Sequence, residues 1–258
     1  LRYGDAKLPE NGALPELTWA GAAHVDQAIF VGTPNAGAPR MLRTLVRGKQ
    51  FAPLLPRYQP EVLGTFPALY QLLPRSRHGV VRLEQTDEPV TDLYEASTWQ
   101  RFGWGLADPD PETLAALLPN VSDAKKRRRL ARRFLKRSLA RAKQFHRALD
   151  KPASPPKGTS LHVFAGDAKA TKTHLLVDAE TGKLTMGATS PGDGSVPRYS
   201  ALMDERQGGD WRPRLRSPIA WDQVHLLFND HLGLTRSPEF SDNVLYLLLE
   251  KPRETDTP

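Results

Sequence analysis

The chain has 258 residues, of which 39% are hydrophobic and 25% charged, and it contains no cysteine. That length can bury a sizeable core, while the composition excludes disulfide frameworks, thiolate catalysis and cysteine-based zinc sites. The net charge of +7 is local: residues 124–149 hold twelve Lys or Arg and no acid, leaving 24 basic against 29 acidic residues elsewhere, so a mildly acidic body carries one basic element and the chain is not a uniformly basic nucleic-acid binder.

The first residue is Leu1, and no charged-then-apolar leader follows it, which leads to the expectation of a processed chain or the C-terminal part of a longer one. Residues 25–32 form a mostly apolar run that stops in Gly32-Thr33-Pro34-Asn35-Ala36-Gly37, the pattern of a buried parallel strand ending in a loop. From Pro39 to about Lys157 the chain is rich in Pro, Leu, Arg and aromatics, with helical patches and no clear strand. So long a stretch exceeds an ordinary crossover and predicts an inserted helical subdomain. Its tail, 150–157, reads as a linker back to the core.

Within that insertion, Leu130, Phe134, Ser138, Ala142, Phe145 and Leu149, joined by Leu135 and Leu139, recur at helical spacing. Asp123 or Ser122 is the N-cap. The basic residues of this helix form a solvated face, a surface for anionic lipid, or a nucleic-acid surface. Few aromatics interleave them, which argues against base stacking and makes nucleic acid the weakest of the three. Further on, 160–165 is a second apolar run, ended by Gly166-Asp167, and 223–228 a third, followed by Asn229-Asp230-His231. Ser237-Pro238-Glu239 then opens a final helix with cap, proline and early acid, whose apolar face is Phe240, Val244, Leu247 and Leu248. No stretch is apolar and long enough to span a bilayer.

Two segments can carry chemistry. In Ser190-Pro191-Gly192-Asp193-Gly194-Ser195 the aspartate sits between glycines that let the loop bend sharply; the same residues also suit a plain turn. His231 follows the third strand, where an imidazole reaches the carboxyl edge of the sheet as a proton acceptor. His162 and His225 lie inside strands, His146 lies on the basic helix, and His24 and His78 have no partner pattern. An acid and then a histidine, each after a successive strand, is half of a nucleophile–His–Asp relay. The other half, a Gly-x-Ser-x-Gly elbow, is absent: no serine has glycine at both −2 and +2.

Thr33-Pro34-Asn35-Ala36-Gly37, Gly192-Asp193-Gly194-Ser195-Val196 and the His231 loop, in that order around a long insertion, resemble the lecithin:cholesterol acyltransferase-like family of α/β-hydrolase lipases and acyltransferases. The family's acid loop has Thr where this chain has Ser195. The resemblance implies an α/β fold of the α/β-hydrolase type, the C-terminal part of its parallel sheet with an inserted helical cap. Residues 1–39 and 157–258 are then core, and 40–156 cap or lid. It also implies Asp193 as triad acid and His231 as general base, with the nucleophilic serine and oxyanion-hole donors before residue 1. Asp167 is the rival acid because it directly follows the preceding strand, and Asp230 is a loop cap. Thr33 and Asn35 are structural neighbours of the pocket. The implied substrate is a lipid or other carboxylic ester, with an anionic membrane surface as a further partner through the basic helix. Tyr94, Trp99, Phe102 and Trp104 line an acyl cleft or form the cap's own core. Neither metal-ligand spacing nor a phosphate-cradling glycine loop is visible, so no metal or cofactor is expected. The competing reading is a non-catalytic module that binds anionic lipid or nucleic acid through 124–149.

Overall fold

In the computed structural model, which describes residues 1–206 and 215–250, the first half of the chain contains β1 (Gln27–Val31), α1 (Pro39–Arg47), β2 (Lys49–Gln50), β3 (Arg57–Tyr58), α2 (Pro60–Gly64), α3 (Pro67–Tyr70), β4 (Val81–Leu83), α4 (Ala96–Arg101), α5 (Pro111–Leu117) and the long α6 (Ala124–Asp150). There follow β5 (Ser160–Gly166), β6 (Lys169–Lys172), β7 (Leu175–Val177), β8 (Leu184–Met186), β9 (Thr189–Gly192), α7 (Arg198–Leu202), β10 (Gln223–Leu227) and α8 (Pro238–Leu245). Two units result. The first takes Leu1–Ala36, Arg147–Lys172 and the chain from Thr189 on; the second takes Gly37–His146 and Thr173–Ala188.

The first unit is built on the three apolar runs. They form one parallel sheet in the order β1-β5-β10, with Gln27 opposite Ser160 and Gln223 opposite His162. The central strand is covered on both faces, which is why its sequence is a continuous apolar run without alternation. On one face Leu161, Val163 and Ala165 pack under α7, with Val196, Ala201 and Met203. On the other, Phe164 meets Leu227, Leu234, Leu247 and Phe240 of the α8 region. Helix α8 starts as expected, with the Phe240 N–H donating to Ser237 Oγ at 3.1 Å. It passes into a π-helical turn over Tyr246–Glu250, where Leu247 is buried as expected and Leu248, expected on the same face, is 52% exposed. The outcome is a mixed α/β architecture, a parallel sheet with helices on both faces.

The N-terminal residues close the end of α6. The Arg2 guanidinium donates to the carbonyls of Leu149, Lys151 and Pro218 at 2.9, 2.7 and 3.1 Å, and the Tyr3 hydroxyl donates to Ala148 O at 2.8 Å. These donors serve helix-end carbonyls that have no partner within the helix.

The second unit differs from the expected 40–156 insertion in three ways. It contains strands: β4, β7 and β8 make a small sheet, in which Val81 pairs with Leu175 in parallel and Leu175 with Met186 in antiparallel register. That pairing draws Thr173–Ala188 into the second unit, a segment assigned above to the core. The boundary after α6 also lies earlier than residue 156, because the helix ends within the first unit. The core gathers Tyr70, Trp99, Trp104, Leu42, Leu45, Leu135 and Leu139, each under 2% exposed. Trp99 and Trp104 are therefore core, as is Phe102, stacked on Trp104 at 4.8 Å between ring centres.

Helix α6 is capped by Asp123, whose Oδ1 accepts the Lys125 N–H at 2.8 Å. Its buried face is Ala131, Leu135, Ser138, Leu139, Ala142 and His146, the i, i+4, i+7 row expected of a packed helix. Phe134 and Phe145, expected on that stripe, are 37% and 36% exposed because they sit one residue off the row. All the basic residues except Arg127 are exposed. Among the described residues no helix is long and apolar enough to cross a membrane.

Candidate active site

The three parallel strands end on the same side, and the loops that leave their carboxyl ends carry the polar residues singled out above. Such an edge is where ligands bind in open α/β sheets. After β1 the chain turns at Gly32, whose φ is +57°. A Cβ there would lie 2.8 Å from the Leu234 side chain and 3.2 Å from the His231 ring. After β5 a Cβ on Gly166 would come within 2.4 Å of Asp193 Cβ. These two glycines clear the space that the acid and the imidazole occupy.

Asp193 enters this space from an antiparallel ribbon, β6 with β9, that follows the central strand. The loop folds back through the Asp193 N–H, which donates to Val196 O at 3.2 Å. Asp193 Oδ1 in turn accepts the N–H groups of Ser195 and Val196 at 2.8 and 2.6 Å. Gly194, at φ +87°, makes this turn possible, and its N–H donates to Thr171 Oγ1 at 2.8 Å. The carboxylate is 1% exposed. A buried carboxylate is tolerated when its lone pairs are met, and the second oxygen is met by the histidine.

His231 lies in the loop after β10. Asp230 caps that loop, its Oδ1 accepting the Gly233 N–H at 2.8 Å. The backbone N–H of His231 donates to Asp193 O at 2.9 Å, and its Nδ1 lies 2.7 Å from Asp193 Oδ2. An ionised carboxylate only accepts, so Nδ1 carries the proton and the neutral imidazole presents a lone pair on Nε2. The imidazole is 38% exposed, and Nε2 makes no hydrogen bond among the described residues. The pair is thus an oriented base with an open acceptor atom.

The structure treats the other candidates differently. Asp167 sits just after β5 but its two oxygens accept from Arg198 Nη1, at 2.9 and 3.0 Å, whereas His231 Nδ1 is paired with Asp193. The Asn35 side chain donates to Ala201 O at 2.7 Å, a bond within the first unit's fold. His225 stacks on Phe164 at 4.3 Å, where burial lowers its pKa. His146 has its Nε2 2.6 Å from Gln71 O and its Nδ1 2.7 Å from the Tyr94 hydroxyl. Burial, seconded by Arg75, lowers its pKa to about 3. Thr171, Gly32 and Gly166 were not singled out from the sequence. The glycines marked strand ends, and only the fold reveals what they make room for. Among the described residues no cluster of three or more His, Cys, Asp or Glu is placed to hold a metal ion.

No protein-family model matches the chain, and no curated protein matches it. Among solved structures it is similar to a chain of the Tle4–Tli4 complex, with a TM-score of 0.54, 14% sequence identity and 87% of this chain covered. The likeness is one of fold. The alignment covers 54% of that chain, so this chain spans about half its length. A mixed α/β architecture with a parallel sheet is what the two share.

Proposed function

We propose that this chain carries the acid and the base of a serine-type ester hydrolase of the α/β-hydrolase class. The reaction is that of a lipase, esterase or phospholipase, with acyl transfer to an alcohol as its variant. The three-stranded sheet is then the C-terminal part of the hydrolase sheet, and the second unit is its cap or lid. The observation that carries the reading is the 2.7 Å contact between His231 Nδ1 and an Asp193 carboxylate whose other oxygen is held by two backbone N–H groups.

In this mechanism His231 Nε2 removes the proton from a serine hydroxyl as that oxygen attacks the ester carbonyl, and later returns it to the leaving alcohol. Asp193 stays ionised, fixes the tautomer and stabilises the imidazolium as it forms. The nucleophile is the serine that the family resemblance puts before Leu1. Asp167 has no part in the relay, since its carboxylate is committed to Arg198.

The test is fluorophosphonate labelling of the native gene product, with the modified residue mapped by mass spectrometry. A labelled serine upstream of Leu1, its labelling lost in His231→Ala, is the expected result. A complete, folded product that takes no label sinks the proposal. In that event the salt dependence of vesicle binding tests the binding-module reading, which requires binding to survive loss of Asp193 and His231.

A further inference from the structure

The second unit contains a cavity of about 410 Å³ between α5 and α6, within the range of about 300–1,000 Å³ typical of small-molecule pockets. Its walls are Leu106, Leu114 and Leu117 on one side and Leu130, Ala131 and Phe134 of α6 on the other. The pocket is partly open to solvent and its walls are mostly apolar, so it suits an apolar guest. The neutral polar side chain in the lining, Thr65, is already committed: its hydroxyl donates to Val62 O at 2.7 Å. Polar recognition is left to Arg133 and Arg137, which line the same cavity. The two are one helical turn apart on α6 and so project side by side. Both are exposed, and neither side chain makes a hydrogen bond or an ion pair among the described residues. Elsewhere on this helix Arg132 is bonded to Ala107 O and Lys143 to Glu95.

An apolar chamber beside two unengaged guanidiniums has the chemistry of a site for a single hydrocarbon chain with one small anionic head. We propose that the second unit binds a long-chain fatty carboxylate, the chain inside the cavity and the carboxylate between Arg133 and Arg137. Guanidinium N–H groups match a carboxylate in geometry as well as charge. The bound anion also relieves the mutual repulsion of two cations at i, i+4, on a helix whose 124–149 stretch has no acid of its own. A phospholipid bilayer is a poorer fit: a partly open pocket of this volume takes one chain, whereas a lipid surface needs only an exposed face. The site is independent of Asp193 and His231, so it stands or falls separately from the hydrolase reading.

The experiment is titration calorimetry of the full chain with dodecanoate below its micellar concentration. Dodecanol and butyrate serve as head-group and chain controls, and vesicles of anionic phospholipid as the membrane control. The expected result is one dodecanoate per chain, with dodecanol and butyrate each weaker by about tenfold or more. The double variant Arg133→Gln, Arg137→Gln is expected to lose about tenfold for dodecanoate and nothing for dodecanol. A second variant, Ala131→Trp, fills the cavity and is expected to abolish binding, with circular dichroism confirming its fold. His231→Ala is expected to bind as the parent does. The proposal is overturned by equal affinity for dodecanol and dodecanoate, by undiminished binding in the glutamine double variant, or by binding to vesicles alone.

Discussion

The two units expose their apolar residues in different places. The second buries its tryptophans with their ring N–H groups bonded, Trp99 to Leu93 O and Trp104 to Gly182 O, each at 2.8 Å, and leaves Phe51, Leu54 and Phe66 outside that core, 56%, 99% and 54% exposed. The first exposes its apolar residues along the edge of its sheet. Its outer strand β10 leaves Val224 and Leu226 about two-fifths exposed, and beyond it Phe228 and Leu232 are 81% and 80% exposed. Its most constrained part is the polar loop cluster, where glycines and turns hold a buried charge. The buried rings of the second unit therefore test stability and the loop cluster of the first tests the proposed chemistry, and each can be broken by a single substitution.

The largest expected effect falls on the loop cluster. In the native gene product, Asp193→Asn and His231→Ala are each expected to lower ester turnover by about 10⁴-fold with little change in Tm. A fall of less than tenfold would remove both residues from the chemistry. In the second unit the effect reverses. Trp104→Ala removes a fully buried ring and is expected to cost about 3–5 kcal/mol, read as a loss of thermal stability, while a readout confined to the Asp193–His231 contact, such as the imidazole NMR shift, stays in place.

Acid sharpens the same contrast. His146 titrates at about 3 in the fold instead of 6.5, because burial penalises its cation. Above pH 6.5 it is neutral both folded and unfolded and contributes no slope. As the pH falls below 6.5 the unfolded chain gains a proton that the folded chain refuses, so stability declines until about pH 3. Between pH 6.5 and 5 this amounts to about 2 kcal/mol, and that part of the slope is expected to be lost in His146→Gln when Tm is followed against pH, while the part owed to the half-buried His225 remains. The smallest effect is reserved for Asp167→Asn. It loses only a partly exposed pair with Arg198, worth about 0.2–1 kcal/mol, and ester turnover is expected to stay within twofold of the parent.

Much of the first unit was legible because its signals are local. Buried parallel strands leave apolar runs that stop at glycine or aspartate, and 25–32, 160–165 and 223–228 became β1, β5 and β10 within two residues at either end. The aspartate between glycines and the histidine after the last strand were visible for the same reason. That their side chains meet was not: residues 193 and 231 are joined through the sheet, and no local spacing encodes it. The second unit's small sheet was hidden because Val81 and Leu175 pair across most of the insertion, and three-residue strands carry no periodicity to read. On α6 the expected stripe was right at Ser138 and Ala142 and off only at its two phenylalanines. Leu135 and Leu139, noted as adjuncts, proved to be its centre, while the larger Phe134 and Phe145 face outward.

Asp193 and His231 are tied twice, once through their side chains and once through the His231 N–H on Asp193 O. The second tie makes a backbone amide into a gauge. For that amide to exchange its hydrogen for deuterium, the two loops must part, so its protection measures the free energy of opening the acid–base pair without substrate, inhibitor or turnover. Mass-resolved exchange at this position thus monitors, in the resting protein, what fraction of molecules hold Asp193 and His231 together.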